Sequence, residues 1–190
     1  MKRTLSTAAL LIGVAVSAQA NDFAPAMQNY LDNNIRSWAN SEEIIAAILA
    51  QNASTSAYDQ AMIDDLDTRW RAEVGGTDTP TIAPVLSGDT ADFLRQQVQA
   101  AGGRITEVFI MDSQGLNVAA SAITSDYWQG DEAKFSETYG RGADAVHLGD
   151  IEFDESTETY QGQISFTIVD PATGQAIGAM TVGVDAEALM

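Results

Sequence analysis

The chain has 190 residues, with 27 Asp and Glu against nine Lys and Arg, a formal net charge of −18, one histidine and no cysteine. That charge argues against nucleic acid and anionic membrane surfaces as partners, because both would repel it. The missing thiol removes disulfides, a lipid anchor on cysteine and thiol catalysis, so the fold must rest on its core.

The first twenty residues read as a cleavable export signal. Lys2 and Arg3 give a positive start, Leu5 to Ala18 form an apolar stretch, and Ala18-Gln19-Ala20 is the small-x-small pattern that a signal peptidase accepts. The stretch is too short to span the roughly 30 Å core of a bilayer as a helix. The competing reading is an uncleaved anchor. Cleavage predicts a mature start near Asn21, a periplasmic location and a net charge of −20, since two cations leave with the signal. The remaining acids are scattered, as on an ordinary solvated surface or one adapted to salty surroundings.

Residues 21–104 read as helical. Phe23, Met27, Tyr30, Leu31, Ile35 and Trp38 recur at spacings of three and four, and Ile44, Ile45, Ile48 and Leu49 continue the face. This predicts one long amphipathic helix, or two joined near Ser41. A break is expected at Asn52 to Ser56, and a second helix over Tyr58 to Glu73 with Met62, Leu66 and Trp70 on its apolar face. Residues 75–89 read as a long loop, and Thr90 to Ala101 as a third helix stopped by Gly102-Gly103.

Residues 105–190 change to a period of two. Ile105 to Met111 is a strand, Asp112-Ser113-Gln114-Gly115 a tight turn and Leu116 to Ala122 its partner. Thr124 to Gly142 is a loop with a short helix. Val146 to Phe153, Tyr160 to Val169 and Ala176 to Val184 are three further strands. The expectation is an α+β domain: N-terminal helices and a five-stranded antiparallel sheet.

Within the 124–142 excursion, Tyr127 and Trp128 stand beside carboxylates at Asp126, Asp131 and Glu132 and cations at Lys134 and Arg141. Aromatic walls with a few converging polar groups suit a small-ligand pocket. Equally, the two rings would serve to plug the open face of the sheet. Catalytic patterns are missing. His147 is alone in a strand, there is no Gly-x-Ser-x-Gly elbow, and Gly102-Gly103-Arg104 is a helix stop and not a phosphate loop. The acids Asp150, Glu152, Asp154 and Glu158 fail the calcium-hand pattern at Glu155 and Gln161, where it needs glycine and glutamate.

Three runs carry a resemblance: EVFIMDSQGLNVAAS (107–121), SDYWQGDEAKF (125–135) and DPATGQAIGAMTVGVDAEAL (170–189). They resemble the periplasmic PAS-like sensor modules of the Cache, or PDC, family, over roughly residues 23–189. The resemblance implies a sensor domain that binds a small polar molecule, needs no cofactor, performs no catalysis and signals through a membrane receptor or kinase partner. With no kinase, cyclase or methyl-accepting segment in view, it implies a free-standing version. Amino-acid-binding members place an arginine two positions before a tryptophan. Trp128 fits the tryptophan, but Asp126 stands in the arginine's place. A tyrosine of the next strand aligns with Glu152, and an aspartate closing the last strand with Asp185. With the carboxylate clamp replaced, the resemblance implies an amine or amino-acid-like ligand, held by Asp126, Asp131 and Asp185 against Trp128 or Tyr127. For a carboxylate, Lys134 or Arg141 would be the anchor. Asp185 also reads as a plain cap at the strand end. The apolar face with Trp38 and Ile45 would support a homodimer, or simply pack on its own domain. A ligand-free adaptor and a carboxylate hydrolase are the competing functions.

Overall fold

The computed structural model describes residues 21–154 and 159–190; the expected signal segment, and part of the acidic run near Asp154, lie outside them. The chain begins with α1 (Ala24–Tyr30), a π-helical turn (Leu31–Ile35) and α2 (Arg36–Ala39), which run on without a break. Asn40 ends this rod, and extended Ser41 opens α3 (Glu42–Thr55). Of the two readings of the first helical stretch, the one with a joint near Ser41 is therefore observed.

The break expected from Asn52 does not occur. Its polar side chains bind the sheet while the helix continues: Asn52 Nδ2 donates to Ile177 O at 2.7 Å, and Thr55 Oγ1 donates to Asp112 Oδ2 at 2.8 Å. Next, α4 (Gln60–Glu73) starts at Asp59, whose carboxylate caps Met62 N at 2.9 Å. Its buried stripe is Ile63, Asp67 and Trp70, not Met62, Leu66 and Trp70; Met62 is exposed. Hydrophobicity alone misplaced the face, because the helix buries a carboxylate that takes hydrogen bonds from a distant loop. The stretch read as a long loop holds α5 (Ile82–Leu86), whose first turn is capped by Glu73: its Oε2 accepts from Thr81 N and Ile82 N at 2.8 and 3.0 Å. The last helix before the sheet is α6 (Asp89–Ala100).

The strands are β1 (Ile105–Met111), β2 (Asn117–Ala120), β3 (Val146–Asp154), β4 (Thr159–Val169) and β5 (Ala176–Asp185). They form one antiparallel sheet in the order β2-β1-β5-β4-β3. The α+β layout is thus as the sequence implies. A short helix, α7 (Ala133–Ser136), and a 3-10 turn (Tyr139–Arg141) lie in the excursion between β2 and β3.

Alternation divides each strand between two environments. On one face, Val108, Ile110, Ile164, Phe166, Ile168, Met180, Val182 and Val184 pack against Met27, Leu31, Ile35, Ile44 and Ile48 of the N-terminal helices. Ile45 joins this core and half-buried Trp38 meets Phe93 edge-on at 6.4 Å, so most of the face considered for dimerisation packs on its own domain. On the other face, Phe109, Met111 and Ala179 meet Trp70, Ile82, Val85 and Phe135 from α4, α5 and α7. That second layer covers part of the sheet, from β2 across β1 to the start of β5 with α7 over β4, and leaves a hollow where it stops. No helix among the described residues is long and apolar enough to cross a membrane.

Candidate functional site

The site face of the sheet carries polar residues where the second layer stops. Glu107 of β1 and Gln161 and Gln163 of β4 are separated by β5, which presents Gly183 between them: Glu107 pairs with Gly183 in register, and Gly183 with Gln163. A side chain at 183 would stand 2.8 Å from both Gln161 Oε1 and Glu107 Cγ. Glycine therefore lets the two outer strands' side chains meet across the middle one. Gln161 Nε2 donates to Glu107 Oε1 at 3.0 Å and to Asp154 Oδ2 at 3.0 Å; Gln163 Nε2 donates to Glu107 Oε1 at 3.2 Å. Thr106 Oγ1 donates to Gln161 Oε1, which orients that amide.

Glu107 is only 6% exposed. Burial, with Asp154 nearby, holds its carboxyl above the usual carboxylate range in spite of the two amide donors. Lys134, on α7, hangs over the same floor. Its Nζ lies 5.5 Å from the centre of the Phe109 ring and 3.0 Å from Glu132 Oε2.

Two adjoining hollows open here, of about 680 and 440 Å³. Lys134, Asp154 and Gln163 line both, so they form one cleft. The larger part is walled by Val74, Phe109, Ala122 and Ile123, with Glu107 and Gln129. The smaller part reaches β3, where His147, Asp150 and Glu152 line it. This is the size and make-up of a small-molecule site: apolar walls with a few placed polar groups.

Of the residues singled out in the sequence, the structure brings Lys134 and Asp154 to both parts of this cleft, and Glu132, His147, Asp150 and Glu152 to its smaller part. The others sit elsewhere. Tyr127 stacks on Trp70 with centroids 5.4 Å apart, and burial pushes its phenol up to about 12. Trp128 donates its indole N–H to Gln114 O at 2.9 Å and forms an isolated bridge with Leu116. Both main-chain N–H groups are held by Asp67 Oδ1, at 2.9 and 3.0 Å. Tyr127 and Trp128 line neither part of the cleft; they tie the excursion to α4 and the β1–β2 turn. Asp126 pairs with Arg71 at 2.7 Å, Asp131 is exposed, and Arg141 pairs with Glu137 at 2.7 Å. Asp185 closes β5 and accepts Glu187 N at 2.8 Å, the capping role that was its alternative reading. Asp126, Asp131 and Asp185 do not converge on this cleft, so the cation pocket expected from them is not formed there. Sequence reading missed Glu107, Gln129, Gln161 and Gln163. The available signal was an acid in an otherwise apolar strand, followed by two glutamines at alternate positions of another.

No protein-family profile matches the chain, and no curated protein matches it in sequence. Its fold is similar to solved sensor domains. One is the sensor domain of the histidine kinase DctB from V. cholerae, with 14% identity, a TM-score of 0.48, and 88% of this chain covered. Another is the E. coli DcuS sensor domain, with 10% identity, a TM-score of 0.49 and 87% covered. A third is the ligand-binding domain of the Campylobacter jejuni chemoreceptor Tlp3, solved in complex with 4-methylisoleucine, with 11% identity, a TM-score of 0.43 and 90% covered. The chain spans 53% of the DctB chain, 95% of the DcuS chain and 63% of the Tlp3 chain.

Proposed function

We propose that this protein is an exported sensor that binds a small polar molecule in the cleft between β1, β4 and α7, and passes the binding event to a membrane receptor or kinase. One observation carries the reading: a half-open cleft whose floor is a preorganised set of Glu107, Gln161 and Gln163, with a cation, Lys134, poised at its mouth. Such a floor is costly to desolvate, and a ligand that completes its hydrogen bonds recovers part of that cost. Enzymatic use is a poorer match, because the groups that meet here bind one another and leave no activated nucleophile. The Cache resemblance of the flanking runs agrees with a binding role.

The test is a thermal-shift screen of the purified protein against amino acids, amines and carboxylates, repeated with Gln163→Leu. A ligand at a hundredfold excess over its dissociation constant stabilises the folded state by about 2.7 kcal/mol. A shift that vanishes in Gln163→Leu supports the reading. No shift with any compound, or one that Gln163→Leu leaves intact, refutes it.

A further inference from the structure

Among the described residues every Lys and Arg but one makes an ion pair. Arg36, Arg69, Arg71, Arg95, Lys134 and Arg141 each meet a carboxylate. Arg104 meets none, in a chain of net charge −18. Its main-chain oxygen accepts the Asp185 N–H at 3.0 Å, while its guanidinium makes no hydrogen bond to the described residues. Arg104 lines a hollow of about 210 Å³ between the N-terminal rod and the end of α6, together with Tyr30, Asn34, Trp38 and Gln97. No Asp or Glu lines it. The Tyr30 phenol is half-buried; burial raises its pKa, and Arg104 stands close enough to oppose that rise. The Tyr30 hydroxyl makes no hydrogen bond to the described residues either. Trp38 donates its indole N–H to Asn34 O at 2.8 Å and meets Phe93 edge-on, so its ring is a fixed wall. The rod presents Tyr30, Asn34 and Trp38 to the hollow around its π-helical turn, in which the Arg36 N–H donates to Leu31 O, five residues back. Such turns are rare and recur at functional sites.

We propose that this hollow is a second binding site, for a small carboxylate with a flat apolar body: the carboxylate on Arg104 and the Tyr30 hydroxyl, the body against Trp38. A guanidinium offers paired N–H donors that match the two oxygens of a carboxylate, and the phenol adds a further donor. The acid-free lining matters, because a carboxylate there would occupy Arg104 as Glu132 occupies Lys134 in the cleft. A flat ring packs well on the indole. Phosphate meets the charge of Arg104 but leaves the indole wall uncovered. The hollow shares no lining residue with the cleft, so this site stands or falls independently of the sensor ligand.

Titration of the isotope-labelled protein with benzoate, its neutral counterpart benzamide and inorganic phosphate decides this, followed through the Trp38 indole N–H resonance. It is run on the native protein and on Arg104→Met, Tyr30→Phe, Arg141→Met and Lys134→Met. Arg104 is exposed, so its variant should keep the native circular dichroism. The expected result is a saturable shift at Trp38 with benzoate, and binding at least about tenfold weaker for benzamide and for phosphate. Arg104→Met should weaken benzoate about tenfold or more and Tyr30→Phe about threefold, with Arg141→Met unchanged. No saturable shift at Trp38, or benzamide or phosphate binding as tightly as benzoate, overturns the proposal. Equal losses in Arg104→Met and Arg141→Met overturn it too, since bulk charge would then be the cause. Benzoate binding that Lys134→Met abolishes and Arg104→Met leaves intact belongs to the cleft and overturns it as well.

Discussion

Asp67 and Tyr127, sixty positions apart, are joined by a hydrogen bond of 2.9 Å from the Tyr127 main-chain N–H to Asp67 Oδ1. The same oxygen takes the Trp128 N–H at 3.0 Å, and Oδ2 meets Arg71 at 2.7 Å, which in turn pairs with Asp126. One buried carboxylate thus anchors the start of the excursion that carries Lys134 and Gln129. Asp67→Ala is expected to cost about 1–3 kcal/mol, because two main-chain donors lose their acceptor. Hydrogen exchange should quicken first in residues 124–130. Asp67→Asn keeps an acceptor and should cost less. A loss of under about 0.5 kcal/mol in Asp67→Ala would mean that the anchor is dispensable.

The Glu107 carboxyl is held above its ordinary range by burial and by Asp154, with Gln161, Gln163 and Lys134 opposing. The folded state therefore keeps this proton to a higher pH than the unfolded chain does. Stability contributed by the neutral form is complete below the unfolded value near 4.5 and is lost as pH rises through the folded value. One such group gives a slope of at most about 1.4 kcal/mol per pH unit. Glu107→Gln should remove that slope and raise stability at neutral pH. Denaturation at several pH values would show it, and a variant less stable than the parent at pH 7 would contradict it.

Tyr127 should ionise near pH 12, against 10.0 for a free phenol, since its ring is buried against Trp70. Here too the folded state holds the proton longer, so stability falls as pH rises from 10 toward 12, by about 2–3 kcal/mol in all. Tyr127→Phe should flatten that decline. Phenolate absorbance followed against pH provides the check, and the slowest-titrating tyrosine should vanish in the variant.

Gly183 should tolerate no side chain. Gly183→Val would push apart Glu107, Gln161 and Thr106 and abolish binding in the cleft, while the helix-side core of Val182 and Val184 stays in place. The expected signature is native circular dichroism with at least a tenfold loss of ligand affinity.

Trp128→Phe and Asp185→Asn provide the opposite control. Neither residue lines the cleft; Trp128 holds Gln114 and Asp185 caps the C-terminal turn. Both variants should bind ligand within about threefold of the parent; Trp128→Phe should lose about 1 kcal/mol of stability with its hydrogen bond to Gln114, and Asp185→Asn, which keeps an acceptor for the Glu187 N–H, should lose less. A tenfold loss of affinity in Trp128→Phe would return the ligand to the loop aromatics.

The strands and their turns were legible in the sequence, since alternation in Ile164, Phe166 and Ile168 and turn chemistry at Asp112–Gly115 and Asp170–Gly174 are local properties. The joint at Ser41 was one of two readings that the periodicity left open. The helix through Asn52, the face of α4 and the short α5 were not legible, because polar side chains there bind partners outside their own element: Asn52 to Ile177 and Asp67 to Tyr127 far along the chain, and Glu73 across the intervening loop to the start of α5. The excursion could be named as the carrier of Lys134, but its carboxylates could not be placed. Asp126 is held by Arg71 and Asp185 by its own turn, whereas Glu107 looked like one acid in an apolar strand. Period two places a residue on a face and nothing more. Only the strand order, with β5 and its Gly183 between β1 and β4, brings Glu107 onto Gln161 and Gln163, and only the second layer decides where that face stays open.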